Sequence, residues 1–459
     1  MTIKKADRIV SVIVSLTVSC LVLLSDMSCG HKPTITINVI GEAASAMDGL
    51  DKIKDKFTEE FGYKVVLHKY EFQTVQDKEL LDFAGKEGNY DAIMGIFYNL
   101  GKYTENGFIV PFDTFLNDPS TRDPKVNLDQ FFKPILQACC YYKGKLMGLP
   151  FSGQSMFIWF RKDIFENAQE QQMFRRRYGY ALPVPSANQP ITWKQYKDLA
   201  EFFTRKSGSK LAGQVLSQDF YGTCLQSKRH PAAWYEFSNF IYSFGGQIIS
   251  GDSPELDSPQ VREALDYYRS LKQFAPPGVA QFTWDDALTE MQQGRVALEI
   301  MWADSAPYLE DPSTSTVVGK VGFGLVPIKD GVNRIVSEYG GWGFYVNAFS
   351  KHQRETAQFI QWANRPDIQI LWAQNGGIPT TIATYDSPSY SVKPYAAAHK
   401  ASLQHLTFWP TAPYSSELID LGSEAVSEAM SGDRPTAEIL GSLQSSYQSV
   451  LSAHGVKQH

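Results

Sequence analysis

The sequence predicts an α/β protein of two lobes, and three observations carry that reading. The chain has 459 residues, more than one hydrophobic core ordinarily supports. From residue 34 onward, short apolar runs of β type alternate with amphipathic helical stretches, which is how helices covering a mostly parallel sheet are written. No motif recurs at solenoid spacing. A hydrophobic fraction of 43% with 20% charged residues excludes both a disordered chain and one that crosses a membrane repeatedly.

Residues 34–40 read as a buried strand, and Leu50, Ile53, Phe57 and Phe61 follow at helical spacing behind Gly41, so the first lobe opens as strand, turn and helix. Residues 64–67 and 92–96 are further strands, separated by a helical stretch over 75–83. A turn at Asn117-Asp118-Pro119-Ser120 leads to extended segments over 141–150 and 156–160, the expected crossing between lobes. Residues 167–193 read as a helix followed by a loop rich in Pro183, Pro185 and Pro190, before Thr192 caps a helix carrying Tyr196 and Leu199. Trp284, Ala287, Leu288 and Met291 share a helical face that Gly294 ends, and 296–302 is an apolar strand. Strands over 317–326 and 343–346 flank a turn at Asp330-Gly331. Two helical stripes, Thr356, Phe359, Ile360 and Ala363, then Leu440, Leu443, Tyr447 and Val450, complete the chain.

The N-terminus has the layout of an export signal, with Lys4, Lys5 and Arg8 ahead of an apolar stretch over 9–24. Ser25-Asp26 breaks that stretch, which favours cleavage over a permanent span. Met27-Ser28-Cys29-Gly30 resembles the lipobox of bacterial lipoproteins, so Cys29 is expected to carry lipid, although Asp26 sits where that motif has a branched apolar residue. Cys20 is the competing site, but cutting there would leave 21–24 as an exposed apolar stub. The remaining cysteines, Cys139, Cys140 and Cys224, form neither a disulfide framework nor a metal pattern and are read as core.

The formal net charge of -6 and the lack of a basic cluster exclude a nucleic-acid partner. Arg175-Arg176-Arg177 is read as a solvated helix end or loop. An aromatic share of 13% serves the core and also suits a cleft that stacks flat ligand faces.

Several segments in order now matter together: 90–112 (YDAIMGIFYNLGKYTENGFIVPF), 143–165 (KGKLMGLPFSGQSMFIWFRKDIF), Thr192-Trp193, Gly245-Gly246, 291–302 (MQQGRVALEIMW), 340–346 (GGWGFYV) and Gly376-Gly377-Ile378-Pro379. In order and spacing the chain resembles the carbohydrate-type extracellular solute-binding proteins of bacterial ABC importers, over nearly all of its mature length. The resemblance implies a periplasmic-binding-protein-like fold, with a hinge of crossing strands and a ligand cleft between the lobes. The expected division is a signal peptide and lipidation site over 1–29, a first lobe of 33–148 plus 306–370, and a second of 149–305 plus 371–459. It further implies capture of a mono- or oligosaccharide, delivery to permease subunits in the membrane, no cofactor, and a monomer. The expected location is the outer face of the cytoplasmic membrane or the periplasm.

A sugar offers apolar C–H faces and a fringe of hydroxyls, so its site needs aromatic platforms and short polar groups. The resemblance places a sugar-stacking ring at Trp302, with Asp304 beside it. In Gly340-Gly341-Trp342-Gly343 the glycines, Gly341 among them, allow close approach, and Trp342 could close over a ligand. Trp234, Tyr235 and Glu236 match another ligand-facing segment, with one ring expected in the cleft and the other in the core. Glu42, Phe97 and Tyr98 fall at strand ends, where α/β sheets bind ligands. Trp409 follows the same logic.

The rival readings are a secreted carbohydrate-active enzyme and a binder of a peptide or other non-sugar solute. A glycosidase would need a carboxylate pair such as Glu42 with Asp304. The resemblance implies binding without turnover, and no nucleophile elbow, HExxH, P-loop or EF-hand pattern is present in the sequence. Clustered metal ligands are also missing.

Overall fold

The computed structural model describes residues 35–456; the expected signal peptide and lipidation site, with Cys20 and Cys29, lie outside the described residues. Two sheets organise the chain. The first has five strands in the order Lys64–Tyr70, Thr36–Glu42, Ala92–Ile96, Trp342–Val346 and Gly148–Ser152. Its first three strands are parallel, and Trp342–Val346 runs against both of its neighbours. Ala92–Ile96 is buried at every position, as a central strand with covered faces must be.

The second sheet has four strands in the order Tyr221–Thr223, Val296–Trp302, Met156–Arg161 and Val321–Gly324. Val296–Trp302 is buried throughout and pairs antiparallel with Met156–Arg161, setting Trp302 opposite Met156. The chain passes between the sheets in short segments that bond to one another. Ser155 bridges Tyr339, Ala303 N donates to Ser155 O at 3.0 Å, and Ser337–Glu338 pairs in parallel with Leu406–Thr407.

Two of the expected lobe boundaries move. Val321–Gly324 was assigned to the first lobe within 306–370 but pairs with Met156–Arg161 in the second sheet. Gly148–Ser152, split by the boundary at 148, lies wholly in the first sheet. A strand's own pattern of burial does not encode which sheet it joins, so alternation alone could not place either one.

Local chemistry explains the element ends. Thr192 Oγ1 accepts from Gln195 N at 3.2 Å while Gln195 Oε1 accepts from Thr192 N at 2.9 Å; this capping box starts helix Trp193–Phe203 and contributes about 1 kcal/mol. Arg175, Arg176 and Arg177 form the exposed last turn of helix Ala168–Tyr178, complementing its dipole. Cys139 and Cys140 end helix Lys133–Cys140, and both are buried free thiols.

The core also holds carboxyl groups. Glu79 accepts from Tyr103 Oη at 2.6 Å. Glu236 accepts from Gln226 N at 2.7 Å and Tyr268 Oη at 2.6 Å. Glu338, at the crossing, accepts from Ser238 Oγ at 2.8 Å and Thr407 Oγ1 at 2.9 Å. Burial pushes all three up to about 8 from an ordinary value of 4.5. Burial likewise lowers His230 and His399 to about 4.

Each buried acid keeps its proton in the native state up to about pH 8 but loses it in the unfolded chain near 4.5, so stability falls as pH rises through that window. The two histidines oppose this trend only below their unfolded value of 6.5. The melting temperature should therefore decline between pH 6.5 and 8.5, and Glu338→Gln, which cannot ionise, should flatten the decline. A melting temperature that rises over this range would show that these acids are ionised in the native protein.

Candidate ligand-binding site

The carboxyl end of the parallel strand Thr36–Glu42 and the end of Val296–Trp302 meet across the crossing segments, and the gap between them is a cavity. Its volume is about 60 Å³, below the roughly 300–1,000 Å³ of drug-sized sites, so the lobes lie nearly closed on one another. Glu42, Ala43, Ala44 and Ile96 come from strand ends of the first sheet, and Trp342 from the start of its antiparallel strand. Trp302, Asp304, Ser305 and Tyr308 come from the end of the second-sheet strand and the segment Ala303–Glu310 that follows. Gln154 and Gly340 belong to the crossing, and helix ends supply Phe72, Tyr235, Trp284 and Asp285.

The aromatic walls are fixed by edge-on contacts. Trp302 meets Tyr235 at 5.5 Å and 82°, and Phe72 meets Trp342 at 5.5 Å and 75°. Such pairs contribute about 0.5–1.5 kcal/mol each beyond their buried area. Gly340 seats the Trp302 indole: a Cβ there would lie 2.6 Å from two ring carbons, so any side chain would drive the ring into the cavity.

Contacts between the lobes close the mouth. Phe72 stands edge-on to Trp284 at 5.0 Å and 83°. Tyr308 Oη donates to Asp48 Oδ2 at 3.0 Å, joining the segment that follows Val296–Trp302 of the second sheet to helix Ser45–Asp51 of the first lobe. The polar lining is acidic. Burial holds the Glu42 carboxyl well above its ordinary value, with Asp304 and then Asp285 adding to the effect. Asp304 accepts from Gln154 Nε2 at 2.8 Å, and burial still pushes it up to about 7. Asp285, at the rim, is raised by burial and by Asp286 and Glu71.

Of the residues proposed from the sequence, Trp302, Trp342, Asp304, Tyr235 and Glu42 meet in this cavity. The others lie elsewhere. Trp234 packs on Gly422 and on Trp409 at 5.9 Å, so both indoles belong to the second lobe's interior. Glu236 is held there by Gln226 and Tyr268. Phe97 packs on Tyr339 at 5.0 Å, Tyr98 donates to Gln76 Oε1 at 3.1 Å, and neither lines the cavity. At Gly341 a Cβ would meet Tyr339 and the Ser152 carbonyl, so it serves the crossing while its neighbour Gly340 serves the site.

Sequence reasoning missed Phe72, Gln154, Trp284, Asp285 and Tyr308. Trp284 had been read only as part of an apolar stripe. The capping box of Thr283 and Asp286 was the available signal, because it makes Trp284 and Asp285 the first turn of a helix leading into Val296–Trp302.

Among the described residues no cluster of metal-ligating side chains occurs and no helix is long and apolar enough to cross a membrane. An enclosed cavity between two α/β lobes, lined from both and bounded by hinge-like crossings, defines a two-lobed solute-binding protein. The family description "Bacterial extracellular solute-binding protein" matches residues 52–398, and the chain belongs to that family. The mannitol-binding protein of Pseudomonas aeruginosa is 23% identical over 371 residues, covering 78% of this chain and 76% of that protein. An ABC transporter solute-binding protein from Agrobacterium radiobacter in complex with ribitol superposes with a TM-score of 0.77 at 24% identity, covering 91% of this chain and 98% of its own. A second, from Agrobacterium vitis with bound D-mannitol, gives 0.73 at 22% identity, with 92% and 99% covered.

The Tyr308 to Asp48 bond has a charged acceptor and is worth about 1.5 kcal/mol or more to the closed arrangement. Tyr308→Phe should shift the unliganded protein toward the open form, read as a larger radius of gyration by small-angle X-ray scattering. An unchanged radius would remove this bond from closure.

Proposed function

We propose that the chain is the solute-capturing subunit of an ABC importer and that its solute is a sugar or polyol of one or a few units. The observation that carries this reading is the composition of the cavity: indole and phenyl faces set beside carboxylates, an amide and hydroxyls, drawn from both lobes. Aromatic faces suit the C–H side of a sugar, and the polar groups suit its hydroxyls. The mannitol-binding relative and the ribitol- and D-mannitol-bound structures support the same class.

A ligand touching Glu42 on one side and Trp302 on the other binds the closed arrangement more tightly than the open one, so it shifts the population toward closure. The closed form then docks on the permease as a monomer, with Cys29 lipid holding the protein at the outer face of the cytoplasmic membrane. The reading is of capture without turnover. The carboxyls Glu42 and Asp304 serve as hydrogen-bonding groups, and the solute leaves chemically unchanged.

Trp302→Ala should weaken binding of the recognised sugar at least tenfold, about 1.4 kcal/mol, while the variant remains folded by circular dichroism. Calorimetry showing unchanged affinity would take Trp302 out of the site. Release of reducing ends from oligosaccharides by the wild-type protein would replace capture with hydrolysis.

A further inference from the structure

The cavity's charge is unbalanced. Its lining contains three carboxyl groups from three elements: Glu42 after the first strand, Asp304 after Trp302, and Asp285 at the rim on the tip of helix Trp284–Gln292. Among the described residues no Lys, Arg or His lines it. Surrounding groups do not supply the missing cation. Glu71, capping the Phe72 helix through Gln73 N and Thr74 N, adds negative charge. His230 sits against Trp284 at 4.6 Å, outside the lining. Lys69 is ion-paired with Asp48 and Asp51.

Among the described residues, Asp304 accepts the Gln154 amide and the Glu42 carboxylate accepts no side-chain donor. In this water-poor space Glu42 and Asp304 tend to hold their protons, and a cation delivered with the ligand makes their ionised forms favourable. The faces of Trp302, Trp284, Phe72 and Tyr235 attract a cation as well. A second feature points to a hydroxylated partner. Trp342 Nε1 belongs to a lining residue that is 0% exposed and has no hydrogen-bond partner among the described residues. Buried donors of this kind need an acceptor.

We propose that the captured solute is cationic: a sugar or polyol in which an ammonium group stands in place of one hydroxyl, held by Glu42 and Asp304 while one of its remaining hydroxyls meets Trp342. This rests on the sugar reading above and narrows it. The ammonium supplies the charge that the lining lacks, and the aromatic walls keep it desolvated, where its pairing with a carboxylate is strongest.

The test is calorimetry with matched pairs: D-glucose with D-glucosamine, D-galactose with D-galactosamine, D-mannose with D-mannosamine, and D-sorbitol with 1-amino-1-deoxy-D-sorbitol. The expected result is at least one ammonium compound binding tenfold or more tightly than its neutral partner, with that preference lost in Glu42→Gln and in Asp304→Asn. Asp285→Asn, at the exposed rim, should reduce the preference by a smaller factor and guards against misfolding of the inner variants. Neutral compounds binding as tightly as their ammonium partners would overturn the cationic solute and leave the sugar reading standing. Binding by no member of either set would overturn both.

Discussion

The site depends on the backbone bonds that tie the crossing segments together. Ser155 and Tyr339 bridge one another, Gly340 N reaches Gln154 O at 3.3 Å, and Ser337–Glu338 lies beside Leu406–Thr407. Because these bonds fix Gln154 and Gly340 in space, they also fix the indole that Gly340 seats and the carboxyl that Gln154 holds. Burial of Glu338 within the same seam is eased by two hydroxyls that donate to its Oε2 and by a retained proton. The seam is therefore both the hinge and the floor of the cavity.

The cavity that results is costly by itself. The unpartnered Trp342 donor forfeits about 1–3 kcal/mol when buried without an acceptor, and the converging carboxyls can ionise together only against a counter-charge. Such a site stores the specificity of its ligand: a solute with acceptors and charge at the right places recovers what the empty protein gave up. The Phe72 to Trp284 and Tyr308 to Asp48 contacts across the mouth add to the closed arrangement without choosing the ligand.

Much of the fold was legible in the sequence because strand and helix leave strong periodic marks. The spans 92–96 and 296–302 coincide with observed strands, and the Thr192 cap starts its helix as read. Partnering was not legible: Val321–Gly324 looks like any short strand, and only its register with Met156–Arg161 reveals its sheet. Within the site, strand-end logic located Glu42, because parallel strands expose their carboxyl ends, and the resemblance located Trp302 with Asp304. Strand-end logic failed for Phe97 and Tyr98, which follow the strand end but turn at once into the short helix Phe97–Asn99 and are buried. The resemblance placed Trp234 and Glu236 at the cleft, but helix Pro231–Ser243 is buried nearly all round and its sequence carries no polar face to mark which side meets the cleft.

The central claim is that one solute is gripped from both lobes against Trp302. A crystal structure of the protein with the solute it retains from its natural medium tests this most directly. The account predicts that solute stacked on the Trp302 indole, with Glu42 on one side and Asp304 on the other. A solute lodged outside this cavity, or in contact with a single lobe, would contradict it.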